Sequence, residues 1–322
     1  MNTWYRSIPL ILAGLLLLGI FASGCTGTPE QKPVPTTAAT PVSTTAVPGQ
    51  TTMPGSPAPT TPTAVTTAAT PSQIAGKLKV TGSTTVLPIA QAEADAYMDK
   101  NLRADIQVAG GGSSVGVQAI GEGTADIGMS SREISDAEKA KYPGLNPIDV
   151  ATDAVVVIVH PQNPVSALTL DQVRGLYNGT YQGWDSVGGT LTYPVTIGRD
   201  STSGTRVYFS EAVMKNEKYR SDMREMNSNG AVKQTVAQTP GAVGYVGLGF
   251  IDSTVKPIAI YSNGKPVTPS IATILSHQYP ISRPLYMITK GQPSGLAQDY
   301  LDFILSRDGQ KIVADQGFVP LA

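Results

Sequence analysis

Arg199 opens the run GRDSTSGTR (198–206), where one guanidinium sits among Ser201, Thr202, Ser203, Gly204 and Thr205. Cations, hydroxyls and glycines in that company bind anions. A guanidinium grips an oxyanion with two parallel N–H bonds, hydroxyls donate, and glycine lets backbone amides come close. The run is one of four joints with the same grammar: VTGSTTVLP (80–88), VAGGGSSVGV (108–117), ADIGMSSREIS (125–135) and TIGRDSTSGTRV (196–207). Each is a strand pattern, then a small residue, then a Ser/Thr cluster. After the first, second and fourth a helical pattern starts at once. A helix start leaves backbone N–H groups unpaired and carries about half a positive charge, so it is a ready anion site. Any one joint taken alone is better explained by Ser and Thr acting as N-caps. Four together point to one anion pocket.

The elements that would position these joints alternate along the chain. Strand patterns fall at 77–82, 104–110, 125–130, 150–160, 194–198, 241–247, 255–261 and 283–289, and helical patterns at 85–101, 114–123, 169–176, 204–216, 230–238, 295–306 and 308–316. The run VATDAVVVIVH has the composition of a strand buried on both faces. Alternation predicts α/β layers on mainly parallel sheets, with ligands at the carboxyl ends of the strands.

The chain ahead of residue 74 is different material. Residues 1–24 carry Arg6, an apolar run from Ile8 to Ala22 too short to span a bilayer, and small residues before Cys25, which reads as a signal peptide. FASGC resembles a lipobox, with Cys25 as the lipidated residue; the alternative is a plain secretory signal with a chance cysteine. Cys25 is the one cysteine, so no internal disulfide forms. Residues 25–73, dominated by Thr and Pro, cannot bury enough apolar surface to offset ordering entropy and read as a disordered tether. At ~3.1 Å per residue such a stretch reaches on the order of 100 Å. The remainder is long enough for two lobes. With 23 Lys and Arg against 24 Asp and Glu there is no basic excess for nucleic acid.

The segments GSTTVLPI, GGGSSVGVQAIGEGTADIGMSSREI, TDAVVVIVHPQNP, LTLDQVRGLYNGTYQGWDSVGG, GRDSTSGTR and GAVGYVGLGFID resemble, in that order, the substrate-binding protein of the phosphate ABC transporter. The likeness runs through nearly all of 76–322. It implies a two-lobed periplasmic-binding-protein fold of the second type, with phosphate clamped between α/β lobes joined by two hinge strands and no chemistry performed. The expected lobes are 74–158 plus 258–322, and 159–257, with VVVIVH and KPIAIY as the hinge ribbons. Carried over by position, the ligands are Thr84 through its hydroxyl, Thr85 through its backbone N–H, Ser113, and the loop Arg199, Ser203, Gly204 and Thr205. Some family members carry an aspartate where this chain has Ser131, accepting the phosphate's own proton and so rejecting sulfate. Asp153 is the candidate acceptor here, its alternative a strand-start cap. Arg132 is a candidate second cation, its alternative a surface pair with Glu133. The resemblance implies an ABC-transporter permease as partner; a monomer without cofactor is expected, held at the outer face of the cytoplasmic membrane by the lipid on Cys25 alone.

Rival readings are weaker. GSSVG (112–116) fits a hydrolase elbow with Ser114 as nucleophile and His277 in the right order, but one strand precedes it and no oxyanion segment of the HGGG kind exists. Two distant histidines, His160 and His277, make no metal set. Sulfate, molybdate and tungstate remain alternative anions. Trp184, Tyr245 and Phe250 are expected in packing roles.

Overall fold

The computed structural model describes residues 74–190 and 193–321. The leader, Cys25 and the Thr/Pro-rich segment lie outside the described residues. No helix among the described residues is long and apolar enough to cross a membrane.

The chain begins with β1 (Gly76–Gly82), α1 (Leu87–Lys100), β2 (Ala104–Gly110), α2 (Ser113–Glu122), β3 (Ile127–Ser130) and α3 (Asp136–Lys141). The long β4 (Leu145–Val159) leads to β5 (Ala167–Leu168), α4 (Leu170–Asn178), β6 (Val195–Arg199), α5 (Gly204–Ala212), β7 (Arg224–Met226), α6 (Asn229–Gln238) and β8 (Ala242–Gly247). It ends with β9 (Lys256–Pro257), β10 (Ala259–Ser262), β11 (Lys265–Val267), α7 (Ile271–Leu275), β12 (Ser282–Lys290), α8 (Gly295–Leu305) and α9 (Arg307–Asp315). Local chemistry sets many of the boundaries. Pro88 occupies the first turn of α1, where its missing N–H costs nothing. A Thr169–Gln172 capping box starts α4 and Gly179 ends it at φ 84°. The elements absent from the sequence reading, α3, β5, β7, β11 and α7, are two to six residues long, too short to show a period.

Nine strands form one sheet in the order β2-β1-β3-β12-β4-β8-β6-β7, with β9 beside β4; β11-β10-β5 form a second. The expectation of mainly parallel sheets is corrected here. β1 pairs parallel with β2 and β3, and β6 with β7 and β8, but β12 runs antiparallel to β3 and β4, and β4 antiparallel to β8. A buried Val/Ile run looks alike in either direction, and β4 and β12 carry the chain out and back.

Two main apolar cores lie along this sheet. One gathers Leu78, Val80, Ile89, Ile127, Met129, Val150, Ala151, Leu285, Met287, Tyr300 and Phe318. The other gathers Ala154 to Val159, Trp184, Ile197, Phe209, Val232, Tyr245, Ile258, Ile260, Tyr279 and Ile281. The chain therefore passes between cores within β4, between Ala151 and Ala154, and again between Ile281 and Leu285 at the start of β12. β10 pairs with β5, and Ile258, Ile260, Ile274, Tyr279 and Ile281 pack in the second core.

Glu93 sits in α1 fully buried, with neither carboxylate oxygen hydrogen-bonded. Burial pushes its carboxyl up from 4.5 to about 9. The folded state then keeps a proton that the unfolded chain releases, so stability is full below pH 4.5 and falls as pH rises toward about 9, by about 1.4 kcal/mol per pH unit. Glu93→Gln is expected to raise the melting temperature more at pH 8 than at pH 5. A difference that does not grow with pH, measured by calorimetric melting, excludes a buried protonated Glu93.

Candidate functional site

The hydroxyl clusters are not spent on capping where the helices matter most. α1 begins after Val86 and α2 after Gly112, and neither has a side-chain cap. Gly112 holds φ 98°, a left-handed geometry that favours glycine, and a side chain there would strike Thr202. Among the joints, side-chain caps occur at α5, where Ser203 Oγ accepts from Arg206 N, and at the short α3, where Ser135 Oγ accepts from Glu138 N. First-turn amides of α1 and α2 therefore have no side-chain acceptor, and the clusters keep hydroxyls for another partner.

The four joints meet. Thr85 Oγ1 lies 3.0 Å from Thr205 Oγ1. Ser113 Oγ accepts from Ser131 N at 3.0 Å and lies 3.3 Å from Ser131 Oγ. Gly204 is pressed so closely on this pair that a Cβ would come 2.8 Å from Ser131 Oγ and nearer still to Ser113 Oγ. The rim is closed by Ser114 N donating to Thr202 O and Thr202 Oγ1 donating to Gly111 O, both at 3.1 Å. Residues on the two cores thus touch across one buried polar centre. Ser83, Thr84, Thr85, Ser113, Ser131, Arg199, Ser203 and Thr205 are all buried there. Thr85 N, expected as a ligand donor, here donates to Ser83 Oγ at 3.1 Å.

Arg199 is 1 % exposed. Its Nε donates to Met226 O at 3.0 Å and Nη2 to Asn227 O at 3.1 Å, and neither bond uses Nη1. Burial pulls this guanidinium down from its ordinary value, and the charge of Arg283 adds to that, while Asp200 and Tyr245 oppose it. An anion within reach of this guanidinium would offset that cost. Tyr245 Oη accepts from Arg199 N and its ring stacks on Phe209 at 4.0 Å, so the strand end is fixed by packing.

Asp153 and Arg132 are occupied. Asp153 Oδ1 accepts from Leu248 N at 2.9 Å, and Oδ2 accepts from Arg283 Nη2 and Nε at 2.9 and 3.2 Å. Burial pushes its carboxyl up while Arg283 holds it down. Arg132 forms two 2.7 Å bonds to Glu138 and reaches Ser114 Oγ at 3.0 Å through Nη2. Its carboxylate partner is therefore Glu138, not Glu133, whose backbone carbonyl it also meets. A cavity of about 610 Å³ opens beside this pair, lined among others by Arg132, Ser135, Lys139, Tyr208, Glu211 and Arg283. Ser114 Oγ has Arg132 as its partner, not a histidine. Trp184 is buried and anchors its loop by donating to Gly241 O at 2.9 Å. Among the described residues no group of three or more His, Cys, Asp or Glu could hold a metal ion.

Two site residues were missed by the sequence reading. Asn229, the first residue of α6, donates through Nδ2 to Thr84 Oγ1 at 3.2 Å and Thr85 Oγ1 at 3.0 Å, while Oδ1 accepts from Gly247 N. Since the amide donates to both threonines, their own protons are turned elsewhere. The signal was present: β7 followed by Asn227, Ser228, Asn229 and a helix is a fifth joint of the same grammar. Arg283, a lone arginine in a strand, carried no such signal.

A family model described as a PBP superfamily domain matches residues 65–308. The phosphate-binding protein PstS of Bacillus subtilis is 32 % identical over 247 residues, covering 76 % of this chain and 81 % of that protein. The chain belongs to the phosphate-binding branch of the periplasmic-binding-protein superfamily. Its phosphate-binding relative in Pseudomonas aeruginosa is 31 % identical over 274 residues, covering 78 % and 84 % of the two chains. A substrate-binding protein from Clostridium perfringens, assigned to a phosphate ABC transporter and solved with bound phosphate, superposes with a TM-score of 0.73 at 32 % identity, covering 77 % of this chain and all of that one. An ABC-type phosphate transport receptor from Vibrio cholerae gives 0.64 at 27 % identity, covering 76 % and all of it. The fold is the two-lobed type II arrangement of this family, and these relatives are binding proteins rather than enzymes.

Proposed function

We propose that this chain captures inorganic phosphate in the buried centre between its two halves and hands it to an ABC-transporter permease. The observation that carries the reading is the meeting of four strand-to-helix joints, from both cores, with the buried Arg199 at the strand end of one of them. Thr84, Thr85, Ser113, Ser131, Arg199, Ser203, Gly204 and Thr205 form the pocket, with Asn229 orienting two of the hydroxyls. Support comes from family membership and from the phosphate found in the Clostridium perfringens relative. We take the lobes to be the two packing units, divided within β4 and at the start of β12, closing on the anion as each supplies part of the grip. Cys25 lipidated at the outer face of the cytoplasmic membrane, with 26–73 as a spacer and a monomer delivering its cargo to the permease, completes the scheme. Arg132, tied to Glu138 at the rim, is assigned to holding α3 against α2.

One observation keeps other tetrahedral oxyanions in view. Asp153, the expected acceptor for the phosphate proton, already receives three donors. Isothermal titration calorimetry of the full chain with phosphate, sulfate, molybdate and tungstate is expected to give the tightest binding with phosphate. Tighter binding of another oxyanion reassigns the cargo, and no binding of any of them removes the reading.

A further inference from the structure

Arg283 and Asp153 face each other in register across β12 and β4, at the two points where the chain passes between cores. Arg283 is 2 % exposed and Asp153 fully buried. The pair is thus placed where both halves and the pocket meet. The guanidinium is held on two sides. Nε and Nη2 bind Asp153 Oδ2, and the Tyr208 ring lies 5.6 Å from the guanidinium carbon. Nη2 also donates to Thr205 Oγ1 at 3.0 Å, with Thr85 Oγ1 at 3.5 Å. Both threonines belong to the proposed pocket. Nη1 is buried and has no hydrogen-bond partner among the described residues. Arginine stays protonated and presents five N–H donors, and a buried donor without a partner is a rare feature that calls for one. Two buried guanidiniums, Arg199 and Arg283, stand near one buried carboxylate, Asp153, with the half-buried Asp200 beside Arg199. Because Arg283 Nη2 donates to Thr205 Oγ1, the hydroxyl proton of Thr205 is turned away from the arginine and can serve an anion.

We propose that Arg283 is a second guanidinium ligand of the bound oxyanion, with Nη1 donating to one of its oxygens, and that Asp153 is the fixed counterion of Arg283 rather than the acceptor of the anion's proton. The inference rests on the oxyanion reading of the pocket. It adds a contact from the crossing strands to those from the helix starts, so that anion binding bears directly on the point where the two halves join.

The test uses the full chain with inorganic phosphate. Arg283→Met is expected to weaken phosphate binding at least about 30-fold in calorimetry, on the scale of losing a bond to a charged partner. Arg283→Met combined with Asp153→Asn removes the stranded carboxylate and is expected to stay as weak; recovery of wild-type affinity in the double variant overturns the proposal, since Arg283 then serves only Asp153. A phosphate-bound crystal structure of the unaltered chain decides the matter even if the variants do not fold. Nη1 within about 3.2 Å of a phosphate oxygen supports it, and Nη1 turned from the anion overturns it. Failure of the unaltered chain to bind any oxyanion sinks the pocket reading instead, so the two failures are distinct.

Discussion

Arg199→Ala is expected to lower phosphate affinity at least about 30-fold while leaving the fold in place. The side chain brings a charge to a site from which water is excluded, and loss of a charge-assisted partner there costs about 2 kcal/mol or more. The anchors of the guanidinium make the expectation sharper. Met226 O and Asn227 O hold Nε and Nη2 from one side, so Nη1 is presented without further ordering cost. Those two carbonyls sit next to α6, whose Asn229 aligns the hydroxyls of Thr84 and Thr85. Arg199→Lys is expected to restore only part of the loss, because an ammonium cannot satisfy both carbonyls and an anion with a planar fork. Calorimetry against phosphate measures both variants, and an alanine variant that binds as the wild type does refutes the assignment of Arg199.

Gly204→Ala is expected to weaken phosphate binding on the order of ten- to hundredfold without destabilising either half. A methyl group at this position meets Ser113 Oγ and Cβ and Ser131 Oγ, the last two at 2.8 Å. Those atoms belong to rigid helix starts and a buried serine pair, so the halves must separate slightly to admit it. Overpacking of this kind costs about 1–3 kcal/mol, and each 1.4 kcal/mol is about tenfold in affinity. The residue is the first of α5, where alanine is a better helix former than glycine. The melting temperature is therefore expected to hold while affinity falls. Small-angle scattering with saturating phosphate is expected to show a less compact particle than the wild type. Equal affinity and equal compactness mean that the observed contact of Gly204 with Ser113 is absent from the bound state.

Much of the candidate site was legible because a helix start suited to an anion is a local device. Glycine, hydroxyls and the first turn of a helix are neighbours in sequence, so the joints before α1, α2 and α5 and the run after β3 could be read one by one. Asn229 followed the same grammar, and only the shortness of β7 hid it. The lengths and order of the principal strands and helices were legible for a similar reason, since apolar periodicity and caps act within a dozen residues. Strand direction was not. The buried run Val155–Val159 looks the same whether its neighbours run parallel or antiparallel, and pairing of β4 with β12 and β8 depends on residues far along the chain.

Residue types and their spacing by themselves brought out several helix starts rich in glycine and hydroxyls, with Arg199 beside one of them, because each such joint lies within a single short segment. Tertiary structure alone decided which carboxylate partners which arginine. Asp153 meets Arg283 through the register of β4 against β12, whereas Arg132 and Glu138 lie only six residues apart and meet across the turn into α3. An ion pair is set by where two chain segments cross in space, and 130 residues separate Asp153 from Arg283. Nothing local to either residue records the other.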